Sequence, residues 1–145
     1  FEAAAWLRRA GANTTEVKRF FQLAPDTFKV RAKAIANASF YDGGIAVSIC
    51  EGQNQDAQVI NAQVADELLN IKGIRASFVA GVNDKGITCI SARSLGDINV
   101  QVLLEKIGGG GHLNTAGAQV KEKPEEVLEI VLGLLEKGEK NESNT

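Results

Sequence analysis

Gly108-Gly109-Gly110-Gly111-His112 is the stretch on which the reading of this chain turns: four residues without side chains, then the chain's only histidine. Glycine loses more conformational entropy on ordering than any other residue, so such a run is either a loose hinge or a bend whose dihedrals only glycine adopts. The flanks favour the bend. Upstream, Ile98 to Ile107 carries apolar residues at helical spacing, with Asp97 as the expected N-cap and Gly108 as the stop. Downstream, Thr115-Ala116-Gly117-Ala118-Gln119-Val120 reads as a short strand of small residues. A glycine turn between a packed helix and a packed strand can present several backbone N–H groups to one spot, a nest for an anion. His112 would add a donor and, in mild acid, a charge. On these five residues alone, a plain linker and an ordinary surface or core histidine stay open as readings.

The remaining chain alternates helical and strand patterns. Phe1 to Ala10 is an amphipathic start ending at Gly11; Thr14 or Thr15 is expected to cap Glu16 to Gln22, with Phe20-Phe21 as an aromatic pair. Pro25 opens a third helix through Asn37. From Ser39 the pattern turns to sheet. Phe40-Tyr41, the turn Asp42-Gly43-Gly44, and Ile45 to Cys50 form a hairpin pattern. Ala57 to Ile71 is helical, with Val59, Ile60, Val64, Leu68 and Leu69 expected to face in. Ala76 to Val82 and Ile87 to Arg93 form a second hairpin around Asn83-Asp84-Lys85-Gly86, and Pro124 to Glu136 is a closing helix. The expected fold is α/β: a mixed β-sheet with helices packed on it, preceded by a short helical arm over 1–38. The sheet domain spans 39–137, and a polar, disordered tail occupies 138–145.

Totals exclude several classes. With 145 residues, 44% of them apolar, the chain has enough for a core of its own. A net charge of −2, from 16 Lys and Arg against 18 Asp and Glu, advertises no broad surface for long nucleic acid. No apolar run reaches the roughly 18–20 residues of a membrane span, so the chain as given is expected to be soluble. Cys50 and Cys89 both lie in β-branched surroundings and read as buried thiols in a reducing compartment. One histidine and no cluster of cysteines or aspartates leave no recognisable transition-metal site. The opening on Phe1 in mid-helix, and the lack of methionine, suggest a piece of a longer polypeptide.

A second feature is Ser91-Ala92-Arg93-Ser94, at a strand end just before the Ile98 helix. Strand ends are where open α/β sheets place ligand contacts. Arg93 has a fork of donors suited to phosphate, and Ser91 or Ser94 can add a hydroxyl; a surface ion pair is the competing role for Arg93. Taken together, Ile90-Ser91-Ala92-Arg93-Ser94, Asn99-Val100-Gln101 and Gly108 to His112 resemble the DHH-associated domain, the C-terminal half of DHH-family phosphoesterases. Phe1-Glu2-Ala3-Ala4 with Trp6-Leu7-Arg8, and Ala65 to Leu69 with Ile71-Lys72-Gly73, are similar to the membrane-anchored cyclic-di-AMP phosphodiesterases of Gram-positive bacteria.

That resemblance implies the substrate-binding lobe of a two-lobed enzyme. An N-terminal DHH lobe, absent from this sequence, would hold two manganese ions that activate water, so this lobe has no catalytic residue, binds no cofactor and is inactive alone. Arg93 and His112 would contact phosphate, the backbone at Gly109, Gly110 and Gly111 would approach the nucleotide, and Ser91 would be a secondary contact. The implied partners are cyclic di-AMP or its linear dinucleotide product, short oligonucleotides and the DHH lobe, with a homodimer kept open. The parent chain would be anchored in the membrane with this domain cytoplasmic. Two other readings stand beside it. One is a nucleic-acid or tRNA-binding module without hydrolase activity, as in related domains on alanyl-tRNA synthetases. The other is a packing or dimerisation module whose glycine turn is only tight architecture.

Overall fold

Side-chain alternation along the strands sorts the apolar residues onto two faces of one sheet, and each face is covered by helices. The computed structural model describes residues 14–20 and 24–143. The elements are α1 (Thr14–Phe20), α2 (Pro25–Ala36), β1 (Ser39–Tyr41), β2 (Ile45–Gln53), α3 (Ala57–Leu69), β3 (Ala76–Val82), β4 (Thr88–Ser94), α4 (Val100–Glu105), β5 (Gly110–Gly111), β6 (Thr115–Val120) and α5 (Pro124–Ser143). The six strands lie in the order β1-β2-β3-β4-β6-β5. β2 and β3 run parallel and are joined through α3, while every other neighbouring pair is antiparallel. The expected mixed sheet is thus the fold. The helix expected over Phe1 to Ala10, and Phe21 of the aromatic pair, lie outside the described residues.

One face gathers Val47, Phe78, Ile90 and Ala118 under α4 and α5, which contribute Val100, Leu104, Val127 and Val131. The other gathers Ala46, Cys50 and Val79 under α2 and α3, which contribute Ala34, Ile60, Val64 and Leu68. Buried polar groups pin α3 in place. Ser77 donates its hydroxyl to the Ala65 carbonyl at 2.6 Å, and the Asn61 carboxamide donates to the Cys89 carbonyl at 3.0 Å. The β3–β4 hairpin closes where the Asn83 side chain accepts from the amides of Lys85 and Ile87 at 2.9 and 3.0 Å, a side-chain imitation of a backbone turn.

Four local expectations are corrected. Thr14 and Thr15 both lie inside α1, so neither is its N-cap. The helix expected over Ile98 to Ile107 is confined to Val100–Glu105, because Asn99, not Asp97, caps it: the Asn99 side chain accepts from the Val102 amide at 3.2 Å. Asp97 instead accepts from Arg75 Nε at 2.6 Å, and the guanidinium beside it holds its carboxyl below the usual range. Val59, expected inside, is 56% exposed. The closing helix does not stop at Glu136, and 138–143 are not a disordered tail: α5 continues to Ser143. Gly138 is its only breaker beyond Glu136, and one interior glycine costs about 1 kcal/mol, too little to end a helix already docked on a core.

Candidate functional site

The pairing of β4, β6 and β5 builds a floor almost without side chains. Ser91 pairs with Gly117, and Gly117 pairs with Gly110, so the three residues form one row across the sheet. Directly paired residues point to the same face. That face is the one on which Asn61 and the rest of α3 lie over β3 and β4. Between α3 and the β5–β6 edge runs an open groove of about 460 Å³, lined by Ser91, Arg93, Gly110, Gly111, His112 and Gly117 on the sheet side. Its other wall is one face of α3, bearing Val59, Ala62, Gln63 and Asp66.

Arg93 stands two residues after Ser91 on β4, so strand alternation puts both on the groove face. Its Nε donates to Asp66 Oδ1 at 2.9 Å and its Nη1 to the Ala92 carbonyl at 2.9 Å. A guanidinium carries five N–H donors, so these two bonds fix its plane and, among the described residues, leave the rest of the fork unused. The ion pair expected as the competing role for Arg93 therefore exists. With Asp66 62% exposed it is worth at most about 1 kcal/mol, and it orients the arginine more than it stabilises the fold.

The glycine run does not form the anion nest that its composition suggests. Gly108, at φ 88°, turns the chain off α4, and its amide donates to the Glu105 carbonyl at 3.2 Å. The Gly109 amide donates to the Leu104 carbonyl at 2.8 Å, and the His112 amide to the Thr115 carbonyl at 2.6 Å. Three of the amides are thus spent inside the fold. Gly110 and Gly111 continue as β5 and contribute a flat surface in place of a ring of donors. His112 follows at the β5–β6 turn, exposed and on the rim of the groove.

Of the contacts expected from the sequence, Ser91, Arg93, Gly110, Gly111 and His112 line the groove, whereas Gly109 does not, because it packs against Gly117 and Ala118; the α3 wall, Thr115 and Gly117 were missed. Only Gly117 carried a signal, since a glycine inside a strand marks a close approach. A second hollow, of about 550 Å³, lies at the opposite edge of the sheet between α2, β2 and α5, where Lys33 is already paired with Glu51 at 2.6 Å. It is larger, but none of the expected site residues reaches it. Among the described residues no group of three or more His, Cys, Asp or Glu side chains is placed to hold a metal ion.

Comparison with known proteins adds the family. The DHHA1 domain model matches residues 42–137. Over 122 residues, 84% of this chain, the sequence is 42% identical to the cyclic-di-AMP phosphodiesterase PdeA of Listeria monocytogenes, of which it covers 19%. It is 43% identical over the same length to the cyclic-di-AMP phosphodiesterase GdpP of Geobacillus thermodenitrificans, of which it covers 18%. The chain therefore spans about a fifth of the length of these curated relatives. In fold it is similar to an exopolyphosphatase-related protein from Bacteroides fragilis, with TM-score 0.72 and 20% identity over 92% of this chain and 42% of that one. The matched segment contains α3, β2 to β6 and the glycine hairpin, which are both walls of the groove; the resemblance to the DHH-associated domain holds, and the chain belongs to the DHHA1 domain family.

Proposed function

We propose that this chain is the substrate-binding lobe of a metal-dependent phosphodiesterase that hydrolyses cyclic di-AMP, with short oligonucleotides as further substrates. The observation that carries the reading is the groove, where a guanidinium with unused donors stands beside a floor of backbone formed by Ser91, Gly117 and Gly110. The cyclic-di-AMP phosphodiesterases that align over the same stretch support it. Arg93 grips a phosphate; because Asp66 and the Ala92 carbonyl already hold its plane, little side-chain entropy is lost on binding. His112 supplies a second donor from the rim and Ser91 a hydroxyl from the floor. Gly110 and Gly111 leave room for the sugar and base to lie close to the backbone.

The manganese pair that the resemblance implies belongs, in this reading, with the DHH lobe of the parent polypeptide. This chain binds and orients the nucleotide and does not hydrolyse it alone. The parent is anchored in the membrane with this domain in the cytoplasm. Two free, buried thiols suit that reducing compartment, and among the described residues no helix is long and apolar enough to cross a membrane.

Calorimetric titration of the chain with cyclic di-AMP and with its linear dinucleotide tests the reading. Arg93→Ala is expected to weaken binding roughly tenfold or more, the usual effect of losing a charge-assisted phosphate contact, and His112→Ala by about severalfold, as loss of one hydrogen bond does, with circular dichroism unchanged. Binding that persists undiminished in both variants, or no binding of either dinucleotide, overturns it. Tight, steeply salt-dependent binding of long RNA without dinucleotide binding would favour the nucleic-acid module, which a net charge of −2 does not support.

A further inference from the structure

On the α3 wall of the groove, Asp66 is the residue that orients Arg93. Val59, Ala62, Gln63 and Asp66 are spaced i, i+3, i+4 and i+7, which stacks them along one helix face. Val59 is an aliphatic surface that is 56% exposed. Gln63 is half-buried, and its Oε1 is shielded from water and accepts no hydrogen bond. A carbonyl oxygen in that state carries a desolvation cost without compensation. Rotating the carboxamide toward a donor in the groove gains a bond for that oxygen.

Where such a donor would come from follows from the direction of α3. Asn61 contacts Cys89 and Asp66 contacts Arg93, so helix and strand advance together. Gln63 then stands about 4.5 Å along the helix axis before Asp66, roughly level with Ser91. A nucleotide with its phosphate at Arg93 would extend along the floor from Asp66 toward Gln63 and Val59. Its base would lie against Val59 and Ala62, with an edge toward the Gln63 carboxamide. A carboxamide pairs bidentately with adenine, accepting from the exocyclic amine and donating to N7, whereas a 6-oxo purine offers it two acceptors.

Resting on the nucleotide-groove reading above, we infer that Gln63 is the specificity-determining residue of this site: its carboxamide selects a purine bearing a 6-amine over one bearing a 6-oxo group. The test titrates the chain with cyclic di-AMP and with cyclic di-inosine monophosphate, whose base carries the 6-oxo group. Unmodified protein is expected to bind the adenine ligand about tenfold more tightly or better, the usual discrimination of one bidentate pair. Gln63→Leu should bring the ratio close to one by weakening the adenine ligand. Gln63→Glu, of nearly the same shape and still an acceptor, should keep the adenine preference and serves if the leucine variant does not fold. Arg93→Ala should weaken both ligands and leave their ratio unchanged. A ratio unaffected by Gln63→Leu, an adenine preference abolished by Gln63→Glu, or no preference in the unmodified protein overturns the assignment while leaving the groove intact. Failure of the chain to bind either ligand, or indifference of both to Arg93→Ala, overturns the groove reading and this inference with it.

Discussion

A Cβ added at Gly109 would run into the Gly117 carbonyl oxygen and come within 2.6 Å of the Ala118 Cβ; one at Gly111 would meet the Thr115 carbonyl oxygen and lie 2.6 Å from the Ala116 Cα. One added at Gly110 would meet nothing within 4 Å. The three glycines therefore serve different ends. Gly109 and Gly111 allow β5 to close on β6, and Gly111 also sits at φ 149°, where an L-residue is strained. Gly110 keeps the groove floor free. Gly109→Ala is accordingly expected to destabilise the fold by about 1–3 kcal/mol, as overpacking against backbone does, read from thermal or urea unfolding. Gly110→Ala should leave stability within about 0.5 kcal/mol yet weaken dinucleotide binding, since the methyl occupies ligand space. If Gly110→Ala leaves binding untouched, the run is tight architecture alone and the packing-module reading gains. The residue types at Ser91, Arg93 and His112 were legible in the sequence because strand alternation and donor chemistry are local properties. The partner that orients Arg93 was not, because Asp66 lies 27 residues away on a helix.

α4, the shortest helix among the described residues, governs the hairpin that borders the groove. α4 is tied to it at both ends: the Val100 amide donates to the Leu113 carbonyl at 3.1 Å, and the Gly109 amide donates to the Leu104 carbonyl at 2.8 Å. With six residues, α4 has little propagation to offset its nucleation and leans on its cap and on buried Val100, Leu103 and Leu104. Asn99→Ala should cost about 1 kcal/mol of stability by loss of that cap, measured as a lowered unfolding midpoint. Asp97→Ala, the residue the sequence favours as cap, should lower it less, because its exposed carboxylate only meets Arg75. A larger loss at Asp97 than at Asn99 would contradict the observed capping. Both residues are good N-cap types, and only the position of Arg75, next to the start of β3, decides between them. The same limit explains Val59. Helical spacing marks an apolar arc on α3, but it cannot tell which apolar residue at the edge of that arc meets the core and which borders a groove.

Across the whole molecule the sheet holds two thiols on strands that flank β3: Cys50 pairs with Gly81, and Gly81 pairs with Cys89. Burial pushes the Cys50 thiol up to about 11 from 9.0, and burial also raises Cys89, partly offset by a hydrogen bond from the Asn83 side chain. Below about pH 8 the Cys50 thiol is neutral in both states and contributes no pH dependence. Between about pH 9 and 11 the unfolded chain gives up that proton while the folded chain keeps it, so stability falls as pH rises, by on the order of 1 kcal/mol per unit. Urea midpoints compared at about pH 8 and about pH 10.5 should fall less in Cys50→Ala than in the unmodified protein; equal falls would exclude this thiol as a source. Readable in the sequence were the order and type of most elements, the bend at Gly108, the burial of the cysteines, and Ser91, Arg93, Gly110, Gly111 and His112, which line the groove. Each of these follows from local chemistry: side-chain periodicity, the dihedral freedom of glycine and the donors of Arg93. Only the tertiary structure decided that Gly110 and Gly111 form an edge strand, that their neighbours' amides are already occupied, and that α3 supplies the second wall with Gln63 and Val59. Those facts depend on strand pairing and helix docking between residues far apart in the chain, and local periodicity carries no record of such distances.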